Sequence, residues 1–266
     1  MSFGIRDVWR YRELLYFFAW KDIKVRYKQS LIGAGWAIVQ PMTMMIVFTV
    51  VFGRLAKIPS EGIPRPLFYF SGLILWTYFS QAMSQATMSL VSSASMLSKV
   101  YFPRVLLPAS SVVGGLVDFL AAFVVLIGMT VFYVVRGESG ARLDASLALI
   151  PVLLVLVVGT AFAGGLWLST IYVRYRDVKF ATPFILQFWL FASPVAYPTG
   201  LVPEQWQLVY AINPLTGPVQ AFRWIVSGRG SFPGAALVIS ALVVIVAVIT
   251  GLYVFRQFEG TAADVI

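Results

Sequence analysis

The sequence predicts an all-α integral membrane protein, on the evidence of its composition, its long apolar runs and the placement of its prolines. Of 266 residues, 59% are hydrophobic and only 12% are charged, whereas a soluble domain carries about 25% charged residues. The apolar runs end at basic or proline-rich segments. We therefore expect six transmembrane helices, an N-terminal amphipathic interfacial helix, and a re-entrant extracytoplasmic helical hairpin between spans five and six.

Six apolar runs are candidates to cross the hydrocarbon core, which takes about 20 helical residues. The predicted spans are residues 33–53, 67–91, 105–135, 147–172, 180–197 and 235–255. The third run is long enough to tilt or to be broken near Gly114 and Gly115. The fifth ends at Pro194 and Pro198, because proline lacks an N–H and clashes with the preceding helical turn. Residues 31–266 thus form a single transmembrane domain.

Residues 1–30 are predicted to form an interfacial helix on the cytoplasmic side. At 100° per residue, charged side chains gather in one sector and apolar side chains lie roughly opposite, as in helices that lie in a membrane surface. The charged sector holds Arg6, Arg10, Glu13, Lys21, Lys24 and Lys28, and the apolar sector holds Val8, Tyr11, Leu15 and Phe18. The fit is imperfect, because Phe17 lies in the charged sector and Arg12, Asp22 and Arg26 lie in the apolar sector. Asp22 and Arg26 can pair at i,i+4.

Residues 201–231 are mostly apolar, but Pro203, Pro214 and Pro218 cut them into pieces too short to cross the membrane. We expect two short helices that dip into one leaflet. Backbone of this kind survives at membrane depth only when it is buried in protein or lines a wet cavity.

Basic residues predict the orientation of the spans. Thirteen of the twenty Lys and Arg residues fall in the N-terminal segment, the 92–104 connector, the 174–179 corner and the C-terminal tail. Because Lys and Arg are enriched in cytoplasmic loops, we expect both termini to be cytoplasmic.

The sequence lacks the residues that several kinds of catalytic, metal and nucleotide site require. The chain has no cysteine and no histidine, and it has no Gly-x-x-x-x-Gly-Lys-Ser/Thr motif that could cradle ATP phosphates. Its loop acids are scattered and form no close pair within a motif. We therefore expect neither an enzyme active site nor a metal site in this chain.

Asp118 is the only acid within a predicted apolar span. An intramembrane carboxylate is a candidate for ion coupling. The reading that we favour places Asp118 near a wet or interfacial level, or in a hydrogen bond to Ser or Thr of a neighbouring span.

Two aromatic helix faces are candidates for a substrate path, because a sugar can stack on a ring while its hydroxyls bond to an amide. A helix-packing face would have the same pattern. The candidate path residues are Tyr69, Trp76, Phe79, Phe184, Gln187, Phe191 and Tyr197.

Three sequence segments carry a family resemblance. Val-Arg-Tyr-Arg-Asp-Val at 173–178, Phe-Trp at 188–189 and Ser-Pro-Val-Ala-Tyr-Pro at 193–198 resemble the permease subunits of ABC exporters for bacterial polysaccharides. These are the O-antigen, capsule and teichoic acid exporters of the second ABC permease type. The likeness extends to 24–28, Leu31, Gly33, Trp36, 100–104, 202–204 and 213–214.

The resemblance implies a homodimer in the bacterial inner membrane, with two copies of a separate ATPase that binds ATP and Mg and a lipid-linked glycan as substrate. It implies that the N-terminal helix and the 92–103 connector rest on the ATPase. Alternatives are a permease of the same architecture for a small drug or lipid, and a non-transport assembly protein.

Three groups of residues follow as candidates from the resemblance and from residue chemistry. The ATPase-coupling candidates are Lys99, Tyr101, Phe102 and Arg104. The candidates for holding a headgroup or pyrophosphate are Arg26, Lys28 and Arg174. The candidates for an extracytoplasmic gate in the 201–231 hairpin are Trp206, Tyr210, Phe222 and Trp224, with static re-entrant packing as the alternative role for that hairpin.

Overall fold

The computed structural model describes residues 11–28, 32–97, 102–138 and 140–259, and all regular structure in these ranges is helical. The α-helices are α1 (Arg12–Tyr27), α2 (Trp36–Phe48), α3 (Arg65–Ser92), α4 (Ala94–Leu97), α5 (Leu106–Gly114), α6 (Leu116–Val135), α7 (Ile150–Arg174), α8 (Val178–Phe191), α9 (Glu204–Tyr210), α10 (Thr216–Ser227) and α11 (Gly234–Glu259). A π-helix, Thr49–Leu55, extends α2, and 3-10 turns occur at Gly33–Gly35, Ala145–Leu149 and Thr199–Leu201.

Within the described ranges, four helical segments are long and apolar enough to cross a membrane. They are Trp36–Leu55, Leu106–Val135, Ala145–Arg174 and Gly234–Gln257. This confirms the predicted all-helical, membrane-type architecture. The helix assignment breaks at Gly115, between α5 and α6, so the third predicted run is interrupted where its glycines lie.

The two remaining predicted spans differ from those four segments. Helix α3 has 28 residues but carries a row of polar side chains. Helix α8 has 14 residues and ends at Phe191 instead of residue 197, because the chain turns through 192–197 around Pro194. It is about 21 Å long, which is shorter than the hydrocarbon core.

Helix α3 is the centre of the bundle, and α7 packs most closely against it. Every residue from Leu67 to Trp76 is buried. The contact with α7 depends on small residues, since a Cβ added at Gly165 would lie 2.5 Å from Ala86 Cβ. Small residues of this kind let two helix backbones approach closely inside a membrane.

Helix α1 closes one end of the bundle. The ring of Phe18 lies 5.2 Å from that of Phe102, in a cluster that also contains Val173 from the end of α7 and Phe255 from the end of α11. The apolar side of α1 is therefore covered partly by protein. The 201–231 segment lies at the opposite end, where α10 contacts the start of α3 at Phe68.

The predicted i,i+4 pair within α1 is wrong. Arg26 forms its ion pair with Asp118 of α6, and Asp22 accepts a hydrogen bond from Ser111 of α5 at 3.3 Å. Long-range partners displace the local pair, because α1 is packed against the bundle instead of lying free in the membrane surface.

The contact between α3 and α7 gives a stability prediction. Gly165→Ala places a methyl group 2.5 Å from Ala86 Cβ, and such overpacking costs about 1–3 kcal/mol. The melting temperature Tm of the detergent-solubilised protein should fall. Gly128→Ala on α6 is the matched control, because no heavy atom lies within 4 Å of its added Cβ. Equal Tm values for the two variants would contradict this account of the contact.

Candidate functional site

One face of α3 remains open while the others are buried. Its half-buried residues are Thr77, Ser80, Gln81, Ser84, Gln85 and Met88. Their spacing of three and four residues places them in one row along the helix. Hydroxyls and amides thus line the only side of this segment that the rest of the described chain leaves uncovered.

This row forms one wall of a groove of about 570 Å³ between α2, α3 and α8. The lining residues are Met44, Phe48, Trp76, Ser80, Gln81, Ser84, Gln85, Pro183, Leu186, Gln187, Leu190 and Phe191. None of them carries a charge. At one edge of the row, Gln81 donates to the Gln40 side chain on α2 at 2.9 Å.

A second cleft, of about 440 Å³, continues from Gln85 towards α1 and the start of α5. It is more polar and contains the charged residues Lys21, Asp22 and Arg26 beside serines of α3 and α5. Burial raises the pKa of Asp22, although the Ser111 hydrogen bond opposes that rise. Together the two cavities follow α3 from the α1 end of the bundle towards the end of α8.

A cluster around Arg26 lies where the two cavities meet. The Arg26 guanidinium donates to Asp118 and to Gln85, and the Tyr27 hydroxyl donates to the other oxygen of Asp118. Burial, reinforced by the bond to Asp118, raises the pKa of Tyr27 to about 12, so Tyr27 stays a donor. Asp118 therefore has its partners on α1 and not on Ser or Thr of a neighbouring span, which was one of the two alternatives that the sequence left open.

The seven predicted path residues do not share one site. Trp76, Gln187 and Phe191 line the groove. Tyr69 and Phe79 are fully buried, and Phe79 packs on the ring of Trp189 at 4.9 Å.

The other two path residues lie away from the groove. Phe184 is 62% exposed on α8, and Tyr197 lies in the turn after that helix. The hydroxyl and amide row of α3 was missed, although its i, i+3, i+4 spacing within an apolar span was a readable signal.

The four gate candidates lie in three different environments. Trp206 is 56% exposed and Phe222 is fully buried. The Tyr210 hydroxyl lies 2.8 Å from the Tyr197 hydroxyl, which bridges α9 and the turn after α8. Trp224 is half-buried, with the Arg142 guanidinium 4.4 Å from its ring.

Asn213, at the junction between the two short helices, ties them to the end of α8. Its amide nitrogen donates to the Ala192 carbonyl at 2.8 Å and to the Ser193 hydroxyl at 2.9 Å. Its amide oxygen accepts from the Trp189 ring nitrogen and the Leu215 backbone, both at 3.1 Å. The Asn-Pro pair is therefore a structural joint as well as a helix breaker.

The coupling candidates are only partly described. Lys99 and Tyr101 lie outside the described residues. Phe102 is buried against Phe18 within this chain, and Arg104 is half-buried just before α5.

Of the headgroup candidates, Arg174 and Lys28 are exposed at the ends of α7 and α1. Arg26 is held by Asp118 and Gln85. Two of the three candidate cations are thus open to solvent or headgroups, and the third is engaged inside the chain.

The Arg26 cluster gives a second prediction. Asp118→Asn leaves the half-buried Arg26 without its carboxylate, and breaking a buried pair in this way costs about 3–5 kcal/mol, or less with partial exposure. The Tm of the purified protein should fall. Adding Arg26→Gln should restore part of the loss, and Asp177→Asn in the exposed 174–179 corner should leave the Tm unchanged. Additive losses in the double variant would show that the pair is not the source of the effect.

The sequence was compared with known proteins. The ABC-2 type transporter family matches residues 13–227. The O-antigen export system permease protein RfbA of Myxococcus xanthus is 27% identical over 224 residues, 83% of each chain. An RfbA from Klebsiella pneumoniae is 25% identical over 247 residues, 92% of each chain. The polysialic acid transport protein KpsM of Escherichia coli is 20% identical over 240 residues, 90% of this chain and 91% of that protein.

These relatives are transport proteins, and they confirm the predicted resemblance to polysaccharide-exporter permeases. Because the family match covers most of the sequence, the chain belongs to the ABC-2 type transporter family.

Proposed function

We propose that this protein is the transmembrane subunit of an ATP-driven exporter of a lipid-linked polysaccharide, and that the groove along α3 is part of the export path. The half-exposed row of hydroxyls and amides on a helix at the centre of an apolar bundle carries this proposal. Polar groups in hydrocarbon are costly without hydrogen-bond partners. A continuous row of them on a membrane helix is therefore best explained by water or a polar ligand beside it.

The chemistry of the groove suits a sugar chain. Serine and glutamine side chains both donate and accept hydrogen bonds, as sugar hydroxyls do. The rings of Trp76 and Phe191 supply apolar faces in the same groove. The absence of charge among the lining residues suits a neutral stretch of glycan better than an inorganic ion. The named roles of the relatives, O-antigen export and polysialic acid transport, support a polysaccharide substrate, and because polysialic acid is anionic they do not decide its charge.

The rest of the assembly is proposed from the family and from the arrangement of the helices. With α3 counted, and with α8 continued by the turn 192–197, six segments cross the membrane and both termini are cytoplasmic. Two copies of this chain pair with two copies of an ATPase, which supplies the ATP and Mg site. The α1 end, where Phe102 and the exposed Arg174 lie, faces that ATPase and the headgroup or pyrophosphate of the substrate.

We propose the 201–231 segment as a re-entrant gate at the extracytoplasmic end. Helices α9 and α10 have seven and twelve residues, which is too short to cross the hydrocarbon core. They contact the turn after α8 through Asn213 and Tyr210. An exporter needs such a closure, because a path wide enough for a glycan leaks ions when it stands open.

Reconstitution tests the function directly. This chain, co-expressed with its ATPase and placed in vesicles, should move a fluorescent lipid-linked glycan only when ATP is supplied. Ser84→Leu and Gln187→Leu should slow this transport about tenfold or more each, since every groove hydrogen bond that is lost leaves a polar partner unpaired. Thr250→Leu, on an exposed face of α11, is the matched control. A wild-type complex that hydrolyses ATP without moving the glycan would refute the proposed function.

The gate gives a separate prediction. Ser193→Cys combined with Asn213→Cys places two thiols at positions where Ser193 Oγ and Asn213 Nδ2 now lie 2.9 Å apart. The chain has no native cysteine that could compete. Oxidation should stop transport and reductant should restore it, because the joint can no longer part. The two single variants, treated identically, control for the oxidant. Full transport by the crosslinked protein would show that this contact does not move.

A further inference from the structure

Arg223 of α10 is a buried cation held by backbone carbonyls. It is 5% exposed, and the structure gives it no ion pair among the described residues. Its guanidinium donates to the carbonyls of Pro194 at 2.5 Å, Val195 at 2.7 Å, Phe68 at 3.3 Å and Tyr197 at 3.4 Å. Its central carbon lies 3.7 Å from the centroid of the Phe68 ring.

Three of these four carbonyls belong to the turn that follows α8. They lie beyond Phe191, the last residue of α8, in a non-helical turn around Pro194. A backbone carbonyl that is buried away from water needs a hydrogen-bond donor. Arg223 therefore supplies donors for this turn, and the carbonyls supply the partial negative charge that a buried cation needs.

The surrounding structure is shaped to admit the guanidinium. A Cβ added at Gly72 of α3 would lie 2.9 Å from Arg223 Nη2 and 3.4 Å from the Val195 carbonyl oxygen. Glycine at this position leaves room for three elements, α3, α10 and the turn after α8, to meet around one side chain. On another side Arg223 borders a polar cavity of about 630 Å³ that reaches the loops of this end.

We propose that Arg223 positions the outer closure: its guanidinium holds α10 against the turn after α8 while the path is shut, and its release from those carbonyls is part of opening. This inference rests on the proposed export function and adds to it the residue that controls the gate. When α10 moves, both the cation and the carbonyls need new partners. The adjacent polar cavity supplies water for them, and the hydroxyls of a passing glycan supply the same kind of bond.

The test is a leak measurement on the complex of this chain with its ATPase, in vesicles without ATP. Arg223→Lys keeps the charge but loses the planar fork that reaches several carbonyls at once. Potassium leak should rise about tenfold or more, since each charge-assisted bond that is lost shifts an equilibrium by about that factor. Arg136→Lys is the matched control, because this arginine is exposed at the end of α6, lies outside the 201–231 segment, and should leave the leak unchanged.

Gly72→Ala provides a second, independent variant. The added methyl group pushes the guanidinium away from its carbonyls, while Arg223 itself is not substituted. The potassium leak should therefore rise, as it should in Arg223→Lys. If both variants assemble and their potassium leak equals that of the wild-type complex, the inference is overturned. Failure of both variants to assemble would also overturn it, because Arg223 would then serve folding alone. If Arg223→Lys alone fails to assemble, the leak of Gly72→Ala decides.

The two proposals fail in different ways. A wild-type complex that does not move the glycan refutes the export function, whatever the variants do. A wild-type complex that moves the glycan, beside variants with unchanged leak, refutes only the role of Arg223.

Discussion

The structure depends on one helix, α3, which must serve as core and as exposed surface at once. Its packing against α7 needs glycine at position 165, where the neighbouring helix leaves no room for a methyl group. That contact fixes the rotation of the second half of α3, whereas the first half, from Leu67 to Trp76, is buried on every side. The same rotation leaves the row of hydroxyls and amides facing out between α2 and α8. Core packing and the exposure of the polar row are therefore consequences of one geometric constraint.

The ends of the bundle follow a second constraint, which is that polar groups within a membrane must find partners inside the protein. At one end, Arg26 and Tyr27 of α1 satisfy the only acid of α6. At the other end, Asn213 and Arg223 satisfy the carbonyls that the break after α8 exposes. In both places a helix outside the four candidate membrane spans is fixed to the rest of the bundle. Any movement of these short helices must exchange the same hydrogen bonds.

The sequence predicted the positions of the helices better than it predicted which residues pack around them. Apolar runs and proline placed nearly every helix, because helix length and helix ends are local properties. Which face of α3 is open depends on the packing of other helices, which the local sequence does not determine. The aromatic residues Tyr69 and Phe79, which we predicted to line a path, are buried by those helices. Nothing in the local sequence singled out Arg223, since its acceptors lie between 26 and 155 residues away.

A single chain leaves the polar row of α3 open on one side. The groove has walls from α2, α3 and α8, and nothing in the described chain covers its fourth side. Lipid chains cannot satisfy the hydroxyl of Ser84 or the amide of Gln187, so a lipid-filled groove is energetically unfavourable. A second copy related by a two-fold axis would set an identical polar row opposite the first and enclose a wet path between them. The need to keep lipid away from α3 is therefore a physical argument for the proposed homodimer, beside the family resemblance that implies it.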